Sequence, residues 1–248
     1  MNLLLDVGNS VVKWACFTEG RPVRSGHFVH RAGNVGALAD AAWSGLAPAD
    51  KVLIANVAGM DMETALAAWF QEHWQVQPVF LRATARACGV TNAYRVPETL
   101  GIDRWAAVIA AHHGYPGAVC VVDCGTAITL DMVTADGEHR GGLILPGIEL
   151  IQQMLSQNTA QLRLSGKQPA ATPLADTTAA GIYGGAIYMV VAAIERSVAD
   201  ARAALGTGID IVLTGGDAGR VLPLLQGKAH HAADLVLRGI AMLAGETS

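Results

Sequence analysis

The pattern that most constrains this chain is a strand that ends in an aspartate and turns on a glycine, and it occurs twice. The first copy is Leu3-Leu4-Leu5-Asp6-Val7-Gly8-Asn9-Ser10-Val11-Val12-Lys13. An apolar strand ends in a carboxylate, a Gly-Asn-Ser turn follows, and a second apolar strand carries a lysine. The second copy is Val119-Cys120-Val121-Val122-Asp123-Cys124-Gly125-Thr126-Ala127-Ile128-Thr129-Leu130. Asp6 and Asp123 stand at equal spacing from a hairpin glycine, Gly20 and Gly137. A carboxylate, free backbone N–H groups and a cation in one small loop suit a metal-bound phosphate.

The surrounding segments repeat in the same order. Leu3–Leu5, Val11–Phe17 and Val23–Val29 read as strands, with a turn at Glu19-Gly20. Val35–Trp43 reads as a helix, and Lys51–Val57 as a strand covered on both faces. Asp61 is expected to cap a helix to about His73, followed by a strand at Val76–Leu81. Pro97-Glu98 is expected to open a helix to His113. From residue 118 the order restarts, with strands at 119–122, 127–133 and 142–145. A strand at Asp210–Thr214, a helix and a strand at Ala233–Leu237 complete the second copy. The layout βββαβαβα fits both parts, which predicts an α/β chain with one half at 1–117 and another at 118–248. An insertion at about 148–208 interrupts the second half, and Thr177 or Thr178 caps its long helix to Ala204. Duplicated α/β halves whose loops face each other form a natural nucleotide cleft.

Composition narrows the class. About half of the 248 residues are apolar, enough for a sizeable core, and the net charge of −4 argues against a nucleic-acid surface. The four cysteines form no CxxC pair, so reduced thiols are expected. Three leucines before Asp6 are too few for a signal peptide. The run Ile182–Ile194 is too short to cross a bilayer, so a cytoplasmic protein with no membrane partner is expected.

The candidate chemistry lies in a few loops. Asp6 beside Gly8 and Asn9 can hold Mg²⁺ directly or through water. Strict alternation puts Lys13 on the face opposite Asp6, but the turn between them breaks that count. Gly125 lets the backbone approach an anion, Thr126 can donate to a phosphate, and Asp123 can bind a cation or cap the turn. Thr214-Gly215-Gly216-Asp217 is a third glycine loop, at the carboxyl end of a strand where ligands sit in open α/β sheets. Asp103 gains from the helix dipole, whereas Arg104 at that end wants an anionic partner. Asp103 can then serve as a general base, with Asn92-Ala93-Tyr94 closing the same pocket. Adjacent His112-His113 and His230-His231 make poor joint metal ligands. Neither a P-loop nor a Gly-x-Ser-x-Gly elbow is present.

Collinear over nearly the whole chain, these segments resemble the type III pantothenate kinases. The resemblance rests on Asp6–Ser10 with Lys13, Asn92-Ala93-Tyr94, Gly101-Ile102-Asp103-Arg104-Trp105 and Asp123–Thr126. It continues through Gly141–Gly147, Asn158-Thr159, Thr178 ahead of Gly185, and Leu213–Gly216. It implies two ribonuclease-H-like halves around a nucleotide cleft, the actin/sugar-kinase/Hsp70-type fold. It also implies ATP-dependent phosphorylation of pantothenate, with Asp103 as base. Asp6, Val7, Gly8, Asn9, Ser10, Val11, Val12, Lys13 and Thr126 would hold the ATP phosphates, with Asp6 near Mg²⁺. Asp123 would bind a monovalent cation, K⁺ or NH₄⁺. Tyr94, Gly101, Ile102, Asp103, Arg104 and Thr178 would line the pantothenate site, and a homodimer would place Thr178 at the subunit boundary. The alternatives are a kinase of the same fold acting on a sugar, or a non-catalytic nucleotide-binding regulator.

Overall fold

A computed structural model of the chain describes residues 1–18, 21–30, 33–157 and 171–246. The turn expected at Glu19-Gly20 and the Asn158-Thr159 motif lie outside the described residues. In chain order the elements are β1 (Asn2–Val7), β2 (Val11–Thr18), β3 (Arg21–Val29), α1 (Val35–Trp43), β4 (Lys51–Asn56), α2 (Met60–Trp74) and β5 (Val79–Phe80). A small hairpin, β6 (Arg86–Ala87) and β7 (Val90–Thr91), leads to a 3-10 turn at Pro97–Thr99 and to α3 (Ile102–Gly114). Then come β8 (Ala118–Cys124), β9 (Ala127–Val133), β10 (His139–Pro146), α4 (Ile148–Gln157) and α5 (Thr178–Leu205). The chain continues through β11 (Ile209–Thr214), α6 (Ala218–Val221), a second 3-10 turn at Leu222–Leu224, β12 (Ala229–His231) and α7 (Leu235–Glu246).

The chain divides into two compact units. The first holds Met1–Gly114, Gly137–His139 and the segment from Asp234; the second holds Tyr115–Asp136 and Arg140–Ala233. The first unit has a five-stranded sheet in the order β3-β2-β1-β4-β5, and the second has β10-β9-β8-β11-β12. Strand for strand, the two orders are the same. In each, the first strand is central, antiparallel to the second and parallel to the fourth.

In the first unit Leu3, Leu4, Leu5 and Val7 of β1 are essentially inaccessible, because both faces of the strand are covered. One face meets α1 and α2, where Phe28, Trp43, Trp69, Phe70 and Trp74 form an aromatic cluster with ring centroids 5.1 to 5.6 Å apart. α7 packs on β1 and β4, and α3 packs on α7. In the second unit α5 lays Ile187, Val190, Val191, Ile194 and Val198 on Cys120, Val122, Ile128, Leu130, Ile211 and Leu213 of the sheet.

Several expectations shift against this frame. The last strand of the second unit is Ala229–His231, not Ala233–Leu237, because Leu235-Val236-Leu237 is the first turn of helix α7. That helix belongs to the first unit rather than to the second half of the chain. Gly59, not Asp61, occupies the N-cap of α2, and Asp61 sits in its first turn. Pro97 opens only a 3-10 turn, and α3 starts at Ile102 after an extended Leu100. The length argument against a membrane span fails for α5, which is 28 residues long and apolar enough to cross one. One side of it, with Ile187, Val190, Val191, Ile194 and Val198, lies in the core of the second unit, which accounts for part of that apolarity, and 39% of the span is buried.

The α3–α7 contact depends on a glycine. A methyl group at Gly239 would fall inside the Ala106 carbonyl and Cα, backbone that cannot rotate away. Gly239→Ala is therefore expected to cost about 1–3 kcal/mol or more by overpacking, read as a lower urea midpoint with an unchanged m-value.

Candidate active site

The first unit builds two of the predicted groups. β1 and β2 pair with Asp6 directly opposite Lys13 and Val7 opposite Val12. Directly opposed residues share a sheet face, so the carboxylate and the ammonium point the same way. The turn realigns what residue counting along one strand would separate. Asp6 is nearly buried, Ser10 likewise, and Asn9 at the tip is exposed. The loop is closed by the Gly8 N–H donating to the Val11 carbonyl, 3.1 Å, and fastened from outside by His30. His30 Nε2 donates to the Gly8 carbonyl at 2.7 Å, while its backbone N–H donates to the Ser10 carbonyl at 3.0 Å. Sequence reading missed His30, whose only signal was its position just past β3.

The second group gathers around the start of α3. Asp103 lies in the first turn, where unpaired N–H groups and the helix dipole favour a carboxylate. Its Oδ1 accepts the Arg104 backbone N–H at 2.8 Å. Gly101 makes room for that oxygen, which a side chain there would crowd. The Arg104 side chain is buried, with 7% exposure, and its Nη1 donates to the Tyr94 hydroxyl at 2.9 Å. Its guanidinium carbon stands 5.7 Å from the Tyr94 ring centre. Asn92 braces this loop: its Oδ1 accepts the Tyr94 N–H at 2.9 Å, and its amide donates to the Thr84 and Pro97 carbonyls. Tyr94, Gly101, Asp103 and Arg104 are thus brought together, and Ile102 turns into the core.

The second unit builds the other loop. Asp123 ends β8, opposite Thr129 on β9 and beside Thr214 on β11. Gly215, at φ +90°, presses against Asp123 Oδ1 and the Cys124 carbonyl, so no other residue fits there. Asp217 stands at the N-cap of α6 but makes no capping bond; it takes Arg220 at 2.7 Å instead. Arg220 also lies over the Tyr183 ring, 5.0 Å from its centre, an arrangement with no sequence signal beyond spacing. Thr126 is exposed, and the Gly147 N–H donates to its carbonyl at 3.0 Å. At α5 the Thr177 hydroxyl caps the helix by accepting the Ala180 N–H at 3.2 Å. Thr178, next to it, is exposed and is not the capping residue. Gly184 approaches the Thr172 backbone, which makes it a packing glycine, while Gly181 and Gly185 face open space. Among the described residues no three His, Cys, Asp or Glu side chains cluster as a metal cage.

The four-layer arithmetic of strand, loop, strand and helix, twice over, is that of the actin/sugar-kinase/Hsp70 fold. A structure of a candidate 2-dehydro-3-deoxygalactonokinase from Sinorhizobium meliloti superposes with a TM-score of 0.64 at 15% identity, covering 100% of this chain and 99% of that one. A candidate Baf-family transcriptional activator from Campylobacter jejuni gives 0.64 at 22% identity, covering 99% and 98%. At such identities the likeness concerns the fold alone. The sequence profile of the type III pantothenate kinases matches residues 2–200. A type III pantothenate kinase of Nitrosococcus oceani is 43% identical over 100% of this chain and 95% of its own length. One of Alkalilimnicola ehrlichii is 39% identical over 99% and 98%. The chain belongs to the type III pantothenate kinase family.

The thiols beside this chemistry are protected. Burial pushes the Cys124 thiol up to about 12, with the Asp123 and Asp217 carboxylates adding to the shift. Burial raises Cys120 and Cys16 as well. All four cysteines are free, and Cys88 is the one of them that is not buried. At pH 8, below the raised values, the buried thiols stay protonated and unreactive. A disulfide-exchange reagent is expected to titrate at most one thiol of the native protein quickly, and all four after guanidinium unfolding.

Proposed function

We propose that this protein transfers the γ-phosphoryl group of ATP to the primary hydroxyl of pantothenate, giving 4′-phosphopantothenate for coenzyme A synthesis in the cytoplasm. Membership of the family supports the reaction. The observation that carries the residue assignment is the adjacency of Asp103 and Arg104 in the first turn of α3, one presenting a carboxylate and the other a buried guanidinium held by Tyr94.

Asp103 is the general base. Its carboxylate takes the proton of the acceptor hydroxyl as that oxygen bonds to the γ-phosphorus. The bond from phosphorus to the bridging oxygen breaks, and ADP leaves with the electron pair. The helix N-terminus favours a carboxylate at this position, and a general base must lie within hydrogen-bond reach of the proton it takes. Arg104 pairs with the pantothenate carboxylate, with Tyr94, Gly101 and Thr178 lining the same acceptor; Ile102, its side chain turned into the core, can offer only its backbone. The loop Asp6-Val7-Gly8-Asn9-Ser10-Val11-Val12-Lys13 and Thr126 hold the phosphates, Lys13 as a point charge and Asn9 at the exposed tip of the turn, while Gly8 keeps the turn closed through its bond to Val11. Phosphoryl transfer asks the protein mainly for such positioning and charge placement.

Two ions complete this reading. Asp6 would hold Mg²⁺ together with phosphate oxygens and water, and Asp123 would hold K⁺ or NH₄⁺; both ions would neutralise phosphate charge. The residues fit such ions, since Mg²⁺ at phosphate sites takes only one or two protein carboxylates rather than a cage. A planar guanidinium at this place is shaped for a carboxylate rather than for a neutral sugar, which supports the acid acceptor.

The partner is a second copy of the chain. Ile144 of β10, Leu150 of α4 and Met189 of α5 are apolar side chains of the second unit that are 41% to 64% exposed. Exposed large apolar side chains of this kind are costly in water, which supports their being covered in a homodimer. Met189→Glu is expected to shift sedimentation from dimer toward monomer; an unchanged dimer would place these side chains outside the interface.

ADP release on adding pantothenate, compared in K⁺ and Na⁺ buffers, tests the activity itself; release only with a hexose would overturn it. Asp103→Asn is expected to bind both substrates, with turnover lower by roughly 10²–10⁴-fold, the usual share of an acid–base group. Full turnover in that variant would remove Asp103 as the base.

A further inference from the structure

His139 is among the few polar side chains buried in this protein, at 2% exposure, and no catalytic or binding reading so far has used it. It stands at the start of β10, yet together with Gly137 and Glu138 it belongs to the first unit. These three residues run alongside the segment that carries Tyr94. The Thr91 N–H donates to the Gly137 carbonyl at 2.9 Å, and Thr91 bridges Glu138 in parallel. Gly137, at φ +85°, sits against the Gly89 carbonyl with no room for a side chain. At the far end of this seam the Ala93 N–H donates to His139 Nδ1 at 3.5 Å. The imidazole lies nearly parallel to the Tyr94 ring, 17° apart in plane, with centroids 6.2 Å apart.

We infer that His139 is a positioning residue of the acceptor site, backing the Tyr94 ring on one side and so fixing where its hydroxyl meets Arg104. The inference rests on the proposed role of Tyr94 and Arg104 at the pantothenate carboxylate. Two independent contacts carry it. The ring contact limits rotation of the Tyr94 side chain, and the bond from Ala93 fixes the backbone one residue before it. A tyrosine held only by Asn92 at its N–H would keep its backbone but not its ring direction. The guanidinium of Arg104 is itself inflexible in shape, so a misplaced Tyr94 hydroxyl tilts the fork that must meet a carboxylate in two places.

The effect should therefore fall on pantothenate, not on ATP. The test compares His139→Ala, His139→Phe (a ring without an acceptor) and His139→Asn (an acceptor without the larger ring), alone and with Tyr94→Phe. KM for each substrate, kcat, calorimetric binding of pantothenate and the thermal midpoint are read for each. His139→Ala is expected to raise the pantothenate KM and Kd about three- to tenfold, the size of one lost hydrogen bond, with the ATP KM unchanged. His139→Phe and His139→Asn should each recover part of that loss. In the Tyr94→Phe background, where the hydroxyl is gone, removing His139 should add little further, the mark of two residues acting through one contact. Full additivity in that background, or equal rises in both KM values tracking a lower thermal midpoint, would overturn the inference in favour of a purely structural histidine. If His139→Ala does not fold, the Phe and Asn variants decide by the same readouts. Arg104→Gln is the control. A raised pantothenate KM for Arg104→Gln with no effect at His139 overturns this inference alone. An unaffected Arg104→Gln sinks the acceptor-site reading and this inference with it.

Discussion

Each sheet places a carboxylate at the carboxyl end of its central strand, and the cost of burying that charge organises what lies around it. β1 is hydrogen-bonded on both edges and covered on both faces, so Asp6 can exist only at its very end, where the strand gives way to a turn. There the sheet register supplies Lys13 directly opposite, a countercharge delivered by pairing rather than by sequence distance. The second sheet keeps the geometry but changes the chemistry. Asp123 has Thr129 and Thr214 as its register neighbours, and neither carries positive charge. Its loop is one residue shorter, and Gly215 is drawn tightly against the carboxylate. The two loops thus share a backbone plan and differ in the side chains that the register sets beside the carboxylate.

Much of this was legible in the residues, for physical reasons. The continuous apolar runs of β1, β4, β8 and β11 read as buried strands because strands covered on both faces lose their alternation. The N-cap of α5 was readable to within one residue, Thr177 or Thr178, since both are the residue type that satisfies a helix's first N–H groups, and the structure uses Thr177. The failures lie where local signals are degenerate. Leu235-Val236-Leu237 has strand chemistry, and only its continuation through Ile240 and Leu243 at helical spacing shows that it opens a helix. Which unit that helix joins is decided by Gly239 meeting Ala106, a contact between residues far apart in sequence. In the site, Asp103 and Arg104 were visible as a pair on a helix. The segment Asn92-Ala93-Tyr94 was named as well, and the bonds by which Asn92 braces it are local. The His30 clasp and the His139 backing were not legible. Both depend on segments folding back over long sequence separations, where side-chain identity alone carries no signal.

The same distinction bears on how a fold shared by sugar kinases comes to serve a charged acceptor. On the proposed reading the acceptor is met not by the sheets but by the first turn of α3, where a helix N-terminus would ordinarily favour negative charge and repel a guanidinium. Arg104 is buried there nonetheless, and burying a cation costs several kcal/mol unless it is well paired. The Tyr94 hydroxyl and ring are among the groups that offset that cost. They also fix where the guanidinium points. That direction is what would let a planar fork meet a substrate carboxylate in two places. On the proposed reading, selectivity for an acid rests on this orientation.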